Sequence, residues 1–158
     1  MFTRRIPLAA LPMLLFACAE PNMNSTPAST DQAATQLSSG INVMIQAAQG
    51  EFVACELGVE GERRGILLAN RPSAGEWEHF TMFTRGDGKV VFQASNGKYV
   101  CADDDRAGQL VANRDQAGEW EAFTLVPKDN GKVALQTHNG NFVAADYGLG
   151  EGLKGSLI

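Results

Sequence analysis

The chain repeats itself three times, and no other feature of the sequence restricts its fold as strongly. Each copy opens with a short apolar run that ends in glutamine, and these glutamines are 47 and 43 residues apart. A glycine and an aromatic residue then start a second apolar run. The aromatic residues are Phe52, Tyr99 and Phe142. Such a period is typical of folds in which copies of one unit share a core. We therefore expect these three aromatic residues to occupy matching places about a pseudo-threefold axis.

Each copy carries the signals of short β-strands joined by tight turns. Val90, Phe92 and Ala94 alternate along the chain, which is the period of a half-buried strand. The Asn-Gly pairs at residues 96–97 and 139–140 favour hairpins because both residue types tolerate a positive φ. Four strands in each unit of about 43 residues, three times over, predict an all-β fold and specifically a β-trefoil. A propeller is disfavoured because it typically needs about 4–8 blades.

The second halves of the first two copies also match. An Asn-Arg pair (residues 70–71 and 113–114) precedes Gly-Glu-Trp-Glu (residues 75–78 and 118–121). Together with the glycine and the aromatic-Val-Ala strand, this pattern resembles the fascin-like β-trefoils of the actin-crosslinking-like superfamily. The resemblance covers about residues 41–158 and implies a fold more than a function. The Gln-x-Trp motif of the sugar-binding ricin-type trefoils does not occur in this sequence.

The third copy is shorter than the others. Residues 157–158 align with residues 110–111, so the equivalents of the next 15 residues do not follow. We expect a trefoil that is incomplete at its C-terminus, with an open edge on the strand that contains Val43. A truncated form of a longer protein would explain this. A genuine end, with the tether or a second molecule filling the gap, would explain it as well.

The N-terminus has the order of a secretory signal. A short positive segment (residues 1–5) precedes 11 mostly apolar residues, too few for a membrane-spanning helix of about 20. The ending Leu-Phe-Ala-Cys at residues 15–18 resembles the lipobox of bacterial lipoproteins. It implies a signal peptide over residues 1–17 and acylation, including palmitate, at Cys18. Alanine at position 19 implies the outer membrane, on its periplasmic face or at the cell surface. An ordinary signal that leaves a free cysteine is the alternative.

Residues 18–40 are rich in Ala, Ser, Thr, Asn, Gln and Pro and predict a disordered tether. The net charge of −5 and the lack of a Lys/Arg cluster beyond the N-terminal segment argue against nucleic-acid binding. No metalloprotease, serine-hydrolase or phosphate-loop motif occurs. We therefore expect no catalytic residue, metal or cofactor. Cys55 and Cys101 fall one register apart, so their side chains should diverge rather than pair.

Acidic residues supply the candidate ligand contacts. Glu56, Asp103 and Asp146 recur at one repeat position after the second strand, where trefoil lectins form shallow sugar pockets. Asp104 and Tyr147 follow directly and could add a hydrogen bond and a stacking face. The run of three aspartates at residues 103–105 lacks the spacing of an EF-hand calcium loop, and a solvated loop is the simpler interpretation.

Trp77 and Trp120 could stack on a sugar ring, but their identical placement before Phe80 and Phe123 favours plugs of the core. The neighbouring arginines and glutamates are best explained by turn capping and ion pairs. The sequence as a whole predicts a non-enzymatic, envelope-anchored module that binds carbohydrate. A protein-interaction or adhesion module, with an unknown protein partner, is the alternative, and a truncated form without function is a third.

Overall fold

The computed structural model describes residues 36–150 and 152–158. The predicted signal peptide, Cys18 and most of the tether lie outside these residues. The described chain is almost entirely strand and turn, with four single-turn 3-10 helices. The strands are β1 Ile41–Met44, β2 Phe52–Cys55, β3 Leu67–Arg71, β4 His79–Thr84, β5 Val90–Ala94, β6 Tyr99–Asp103, β7 Gln109–Arg114, β8 Thr124–Pro127, β9 Val133–Gln136, β10 Ala145–Asp146 and β11 Ser156–Leu157. The all-β prediction is confirmed.

The strands pair antiparallel in three curled sheets that together form a half-barrel. One sheet has the order β1-β4-β5-β6-β7, the second has the order β10-β11-β3-β2, and the third is the hairpin β8-β9. A bridge between Val90 and Phe123 joins β5 to β8 and so connects the first and third sheets. No helix in the described ranges has the length and apolarity needed to cross a bilayer.

The sequence repeat is visible in the backbone. In each copy the glutamine side chain donates a hydrogen bond to the glycine carbonyl four residues later, at 2.6, 2.8 and 2.8 Å. The same glutamine pairs with the aromatic residue six positions on: with Phe52, Tyr99 or Phe142. A register shift follows both Phe52 and Tyr99. These three aromatic residues therefore share one backbone register, although Phe142 is 52% exposed and the other two are half-buried.

Phenylalanine, not tryptophan, fills the core below the repeated loops. Phe80 and Phe123 are 1% and 0% exposed, and the ring of Phe123 lies 5.8 Å from that of Phe92. Trp77 and Trp120 are 43% and 46% exposed, so the prediction that they plug the core is wrong. The turn that carries each tryptophan directs the following glutamate inward as a cap, and the indole is left at the surface.

Candidate functional site

A polar cleft lies where the third copy packs against the first. Antiparallel pairing of β11 with β3 brings the loop between β10 and β11 beside the start of β2. The resulting cavity has a volume of about 540 Å³. It is lined by Gln49, Glu51, Ala69, Asn70, Tyr147, Gly152 and Lys154. Of the predicted ligand contacts, Tyr147 is the one that lines this cleft.

Tyr147 and Glu51 form the central contact of the cleft. The Tyr147 hydroxyl donates a hydrogen bond to Oε2 of Glu51 at 3.1 Å, across 96 positions of sequence. Burial raises the pKa of the Tyr147 phenol, and the adjacent Glu51 carboxylate raises it further. The phenol therefore stays protonated near neutral pH. The carboxylate keeps acceptor capacity for a ligand, and Lys154 and the amides of Gln49 and Asn70 add donors.

Two of the three repeated acids, Glu56 and Asp103, belong to internal ion pairs. Glu56 accepts a hydrogen bond from Arg71 at 2.6 Å. Asp103 is 6% exposed and lies 4.0 Å from Arg114, the equivalent arginine of the second copy. A buried carboxylate needs such a partner, so these two acids serve the fold. The prediction of a solvated loop is wrong for Asp103.

The arginines of the repeated loops also reach the capping glutamates. Arg71 Nε lies 3.6 Å from Glu78, and Arg114 Nε lies 3.7 Å from Glu121. Oε2 of each glutamate accepts a hydrogen bond from the glycine N–H three residues earlier. The prediction of turn capping and ion pairs is confirmed at both loops.

Asp104 and Asp146 lie apart from each other. Asp104 faces the third-copy hairpin, 3.7 Å from His138 Nε2, and the His138 ring stacks on Trp120 at 5.8 Å. Asp146 accepts a hydrogen bond from the Gly148 N–H within its own turn. The five predicted ligand contacts therefore do not converge on one site.

Cys55 and Cys101 are both buried and unpaired. Burial raises the pKa of Cys55 to about 12 and also raises the pKa of Cys101. Such thiols are poor nucleophiles at neutral pH. No group of three or more His, Cys, Asp and Glu side chains in residues 36–150 and 152–158 is arranged to hold a metal ion.

Sequence reasoning missed Gln49, Glu51 and Lys154. The available signal was a departure from the repeat rather than agreement with it. At the position of Glu51 the other copies have Lys98 and Asn141. A search for shared positions passes over residues of this kind.

Fold and cleft together define a small all-β domain of repeated strands with a polar cleft open to solvent. The chain belongs to the DUF7910 family, described as a domain of unknown function, whose model matches residues 34–149. Its fold is similar to part of a GlcNAcα1-4Gal-releasing endo-β-galactosidase from Clostridium perfringens, with a TM-score of 0.56 at 15% sequence identity. The match covers 76% of this chain and 28% of the enzyme. No curated protein matches the sequence.

Proposed function

We propose that this domain is a non-enzymatic carbohydrate-binding module and that the cleft around Glu51 and Tyr147 is its ligand site. The pairing of a protonated phenol with a carboxylate in an open polar cleft carries the proposal. Sugar hydroxyls both donate and accept hydrogen bonds, and the two side chains offer complementary groups. The exposed polar lining, including Asn70 and Lys154, suits a ligand that stays partly hydrated.

The repeat supplies an internal comparison for this site. The positions equivalent to Glu51 and Tyr147 in the neighbouring pair of copies are Lys98 and Leu57. A lysine and a leucine cannot reproduce the phenol–carboxylate pair. The proposed site therefore depends on residues that distinguish one junction between copies from the next.

One further observation supports the proposal. The structural neighbour is, by its name, an enzyme that releases a GlcNAcα1-4Gal disaccharide, so a similar fold occurs within a protein that acts on carbohydrate. We also propose that the three copies are arranged as a β-trefoil of the fascin-like kind. In support, the Ala112 N–H bonds the Gly65 carbonyl at 2.7 Å, and the Ala69 N–H bonds the Gly155 carbonyl at the same distance. One contact thus recurs between successive copies.

Glycan binding by the full chain tests the site. A glycan array, followed by calorimetry with the best oligosaccharide, should identify a ligand. The variants Tyr147→Leu and Glu51→Lys install the residues of the neighbouring junction and should each weaken binding at least tenfold, because each leaves a polar group of the ligand unpaired. Asp105→Asn, an exposed acid outside the cleft, should bind normally. The proposal fails if no glycan is retained or if the three variants bind alike.

We further propose that the module is held at the outer membrane through acylated Cys18. The lipobox-like residues 15–18 support this anchor. In a Gram-negative host, mass spectrometry of the mature protein should find acyl chains on Cys18, and Cys18→Ala should release the protein from the membrane fraction. An unmodified residue 18 in membrane-bound protein would contradict the anchor.

A further inference from the structure

Arg63 lies at the rim of the polar cleft. A β-carbon at Gly152, a residue of the cleft wall, would overlap the guanidinium of Arg63, so glycine at this position admits that side chain. Arg63 is exposed, and within the described part of the chain no carboxylate lies within 4.0 Å of it. The other described arginines each lie within that distance of a carboxylate: Arg64, Arg71, Arg85, Arg106 and Arg114. Arg63 therefore carries a charge that the described ion pairs do not use.

Arg63 lacks the ion pair that its equivalent in the second copy makes. That equivalent is Arg106, whose Nε lies 3.6 Å from Asp103. In the first copy the acid at the position of Asp103 is Glu56, which accepts a hydrogen bond of 2.6 Å from Arg71. The carboxylate of Glu56 is therefore bound by Arg71, and the guanidinium of Arg63 lies beside the cleft instead.

Lys154 adds a second cation to this part of the cleft. It follows Gly152 by two residues, lines the cleft and is exposed. No acid of residues 36–150 and 152–158 lies within 4.0 Å of its ammonium group, whereas the equivalent residue of the first copy, Arg64, pairs with Glu60 at 3.1 Å. The cleft therefore has two positive charges on its Gly152 side that the described acids do not neutralise.

The remaining groups of the cleft determine where a charged group of a ligand can lie. The Glu51 carboxylate, which accepts the Tyr147 hydroxyl, would repel an anion placed next to it. A guanidinium presents paired N–H donors that match the oxygens of a carboxylate or a similar oxyanion. Asn70 adds neutral donors, because its Oδ1 accepts a hydrogen bond from Arg71 at 2.9 Å and its amide N–H groups remain for a ligand. The cleft thus combines a region for an anion with a region for hydroxyl groups.

We propose that the ligand of this cleft is an acidic oligosaccharide, whose carboxylate or sulfate group binds Arg63 and Lys154 while its hydroxyl groups bind Glu51 and Tyr147. This inference rests on the proposed carbohydrate-binding function and specifies the class of ligand. The chain has a net charge of −5, so selection of an anion depends on these two cationic side chains and not on long-range attraction. A neutral sugar would use neither positive charge.

The probes are three trimers of one sugar type: galactose, galacturonic acid and 6-sulfated galactose. In calorimetry with the full chain, at least one charged trimer should bind tenfold or more tightly than the neutral one, and comparison of the two charged trimers distinguishes carboxylate from sulfate. Raising the salt concentration from about 50 to about 500 mM should weaken binding of the charged trimer alone. Neutral and charged trimers of equal affinity would overturn the inference. Displacement of the charged trimer by an equal concentration of inorganic sulfate would assign the cleft to a free anion and refute it as well.

The same measurements separate this inference from the proposed function. If the neutral trimer binds as tightly as the charged ones and Tyr147→Leu weakens it, the carbohydrate site stands and the acidic ligand is refuted. If no trimer binds, the glycans retained on the array decide. Neutral glycans alone would overturn the acidic ligand, and an array that retains no glycan would refute the carbohydrate-binding function itself.

Variants of the two cations test their assignment. Arg63→Gln and Lys154→Gln should each weaken the charged trimer at least tenfold and the neutral trimer less, because only the charged trimer loses an ion pair. Arg64→Gln is the matched control, since Arg64 is the next residue, is exposed and pairs with Glu60; this variant should bind like the original chain. All three positions are exposed, so urea unfolding should show that each variant folds. Equal losses for the charged and neutral trimers, or an Arg64→Gln variant as weak as Arg63→Gln, would refute the assignment.

Discussion

Three equivalent glycines provide a quantitative test of how the copies pack. Gly65, Gly108 and Gly155 each precede the third strand of a copy, with φ values of +85°, +82° and +83°. Alanine at any of them adopts a left-handed conformation that costs about 1–2 kcal/mol. Lower entropy of the unfolded chain offsets about 0.4–1 kcal/mol of that cost. The backbone contribution is therefore the same at all three positions and amounts to about 1 kcal/mol.

The surroundings of the three glycines differ. A β-carbon at Gly108 has no heavy atom of the described chain within 4 Å. At Gly65 it would lie 2.9 Å from the Ala112 carbonyl oxygen, and at Gly155 it would overlap the Ala69 carbonyl oxygen. Overpacking adds about 1–3 kcal/mol, and more where backbone must move. We expect losses of about 1 kcal/mol for Gly108→Ala, about 2–3 for Gly65→Ala and about 4 for Gly155→Ala.

Urea unfolding followed by far-ultraviolet circular dichroism measures these differences, provided that the slope with denaturant is unchanged. Gly108→Ala is the matched control, since it carries the same change in φ without the contact. Three equal losses would mean that the glycines are needed only for their backbone conformation. A larger loss at Gly108 than at Gly155 would refute the proposed packing of successive copies.

Three further outcomes follow from the structure. Phe123→Ala should cost about 3–5 kcal/mol in urea unfolding and Phe142→Ala less than about 1, because the first side chain is fully buried and the second is 52% exposed. Iodoacetamide at pH 8 should label Cys55 only in denaturant, since burial raises its pKa to about 12; rapid native labelling would contradict this. A hydrogen bond from Arg85 lowers the pKa of Glu119. Ionised Glu119 therefore stabilises the folded state at pH values above the ordinary carboxyl range, and this stabilisation is lost on acidification. In the Glu119→Gln variant the free energy of unfolding should therefore fall less steeply below about pH 5 than in the original chain. An unchanged dependence on pH would refute the assigned role of the Arg85–Glu119 pair.

The strands and hairpins were predictable from local sequence. The Asn-Gly pairs at residues 96–97 and 139–140 do lie in turns, and Gly97 and Gly140 have φ values of +77° and +88°. Neither asparagine has a positive φ, so the prediction that both residues of each pair adopt one is wrong for the asparagines. The hydrogen bond from the glutamine side chain to the glycine carbonyl recurs in all three copies because the sequence around it repeats. Pairing of distant strands, such as β1 with β4, depends on the whole chain and was not available from periodicity.

The burial of Arg85 could not be predicted from the sequence. Arg85 is 4% exposed and bonds the Gly118 carbonyl and Glu119, 33 and 34 residues away. It lies between two strands in a turn of ordinary polar composition, where a solvated side chain is the default expectation. Its burial arises because the loop of the second copy folds over it, which is a consequence of tertiary structure.

The wrong predictions for the tryptophans and for the repeated acids have a common cause. Recurrence of a residue at one position in several copies predicts a core plug or a ligand contact. The structure instead gives Glu56 and Asp103 to Arg71 and Arg114, so recurrence at that position reflects a shared ion pair. The polar cleft depends on Tyr147 and on other residues that the copies do not share. In this domain the shared positions Glu56 and Asp103 maintain the repeated unit, and the proposed ligand site lies where one copy differs from the others.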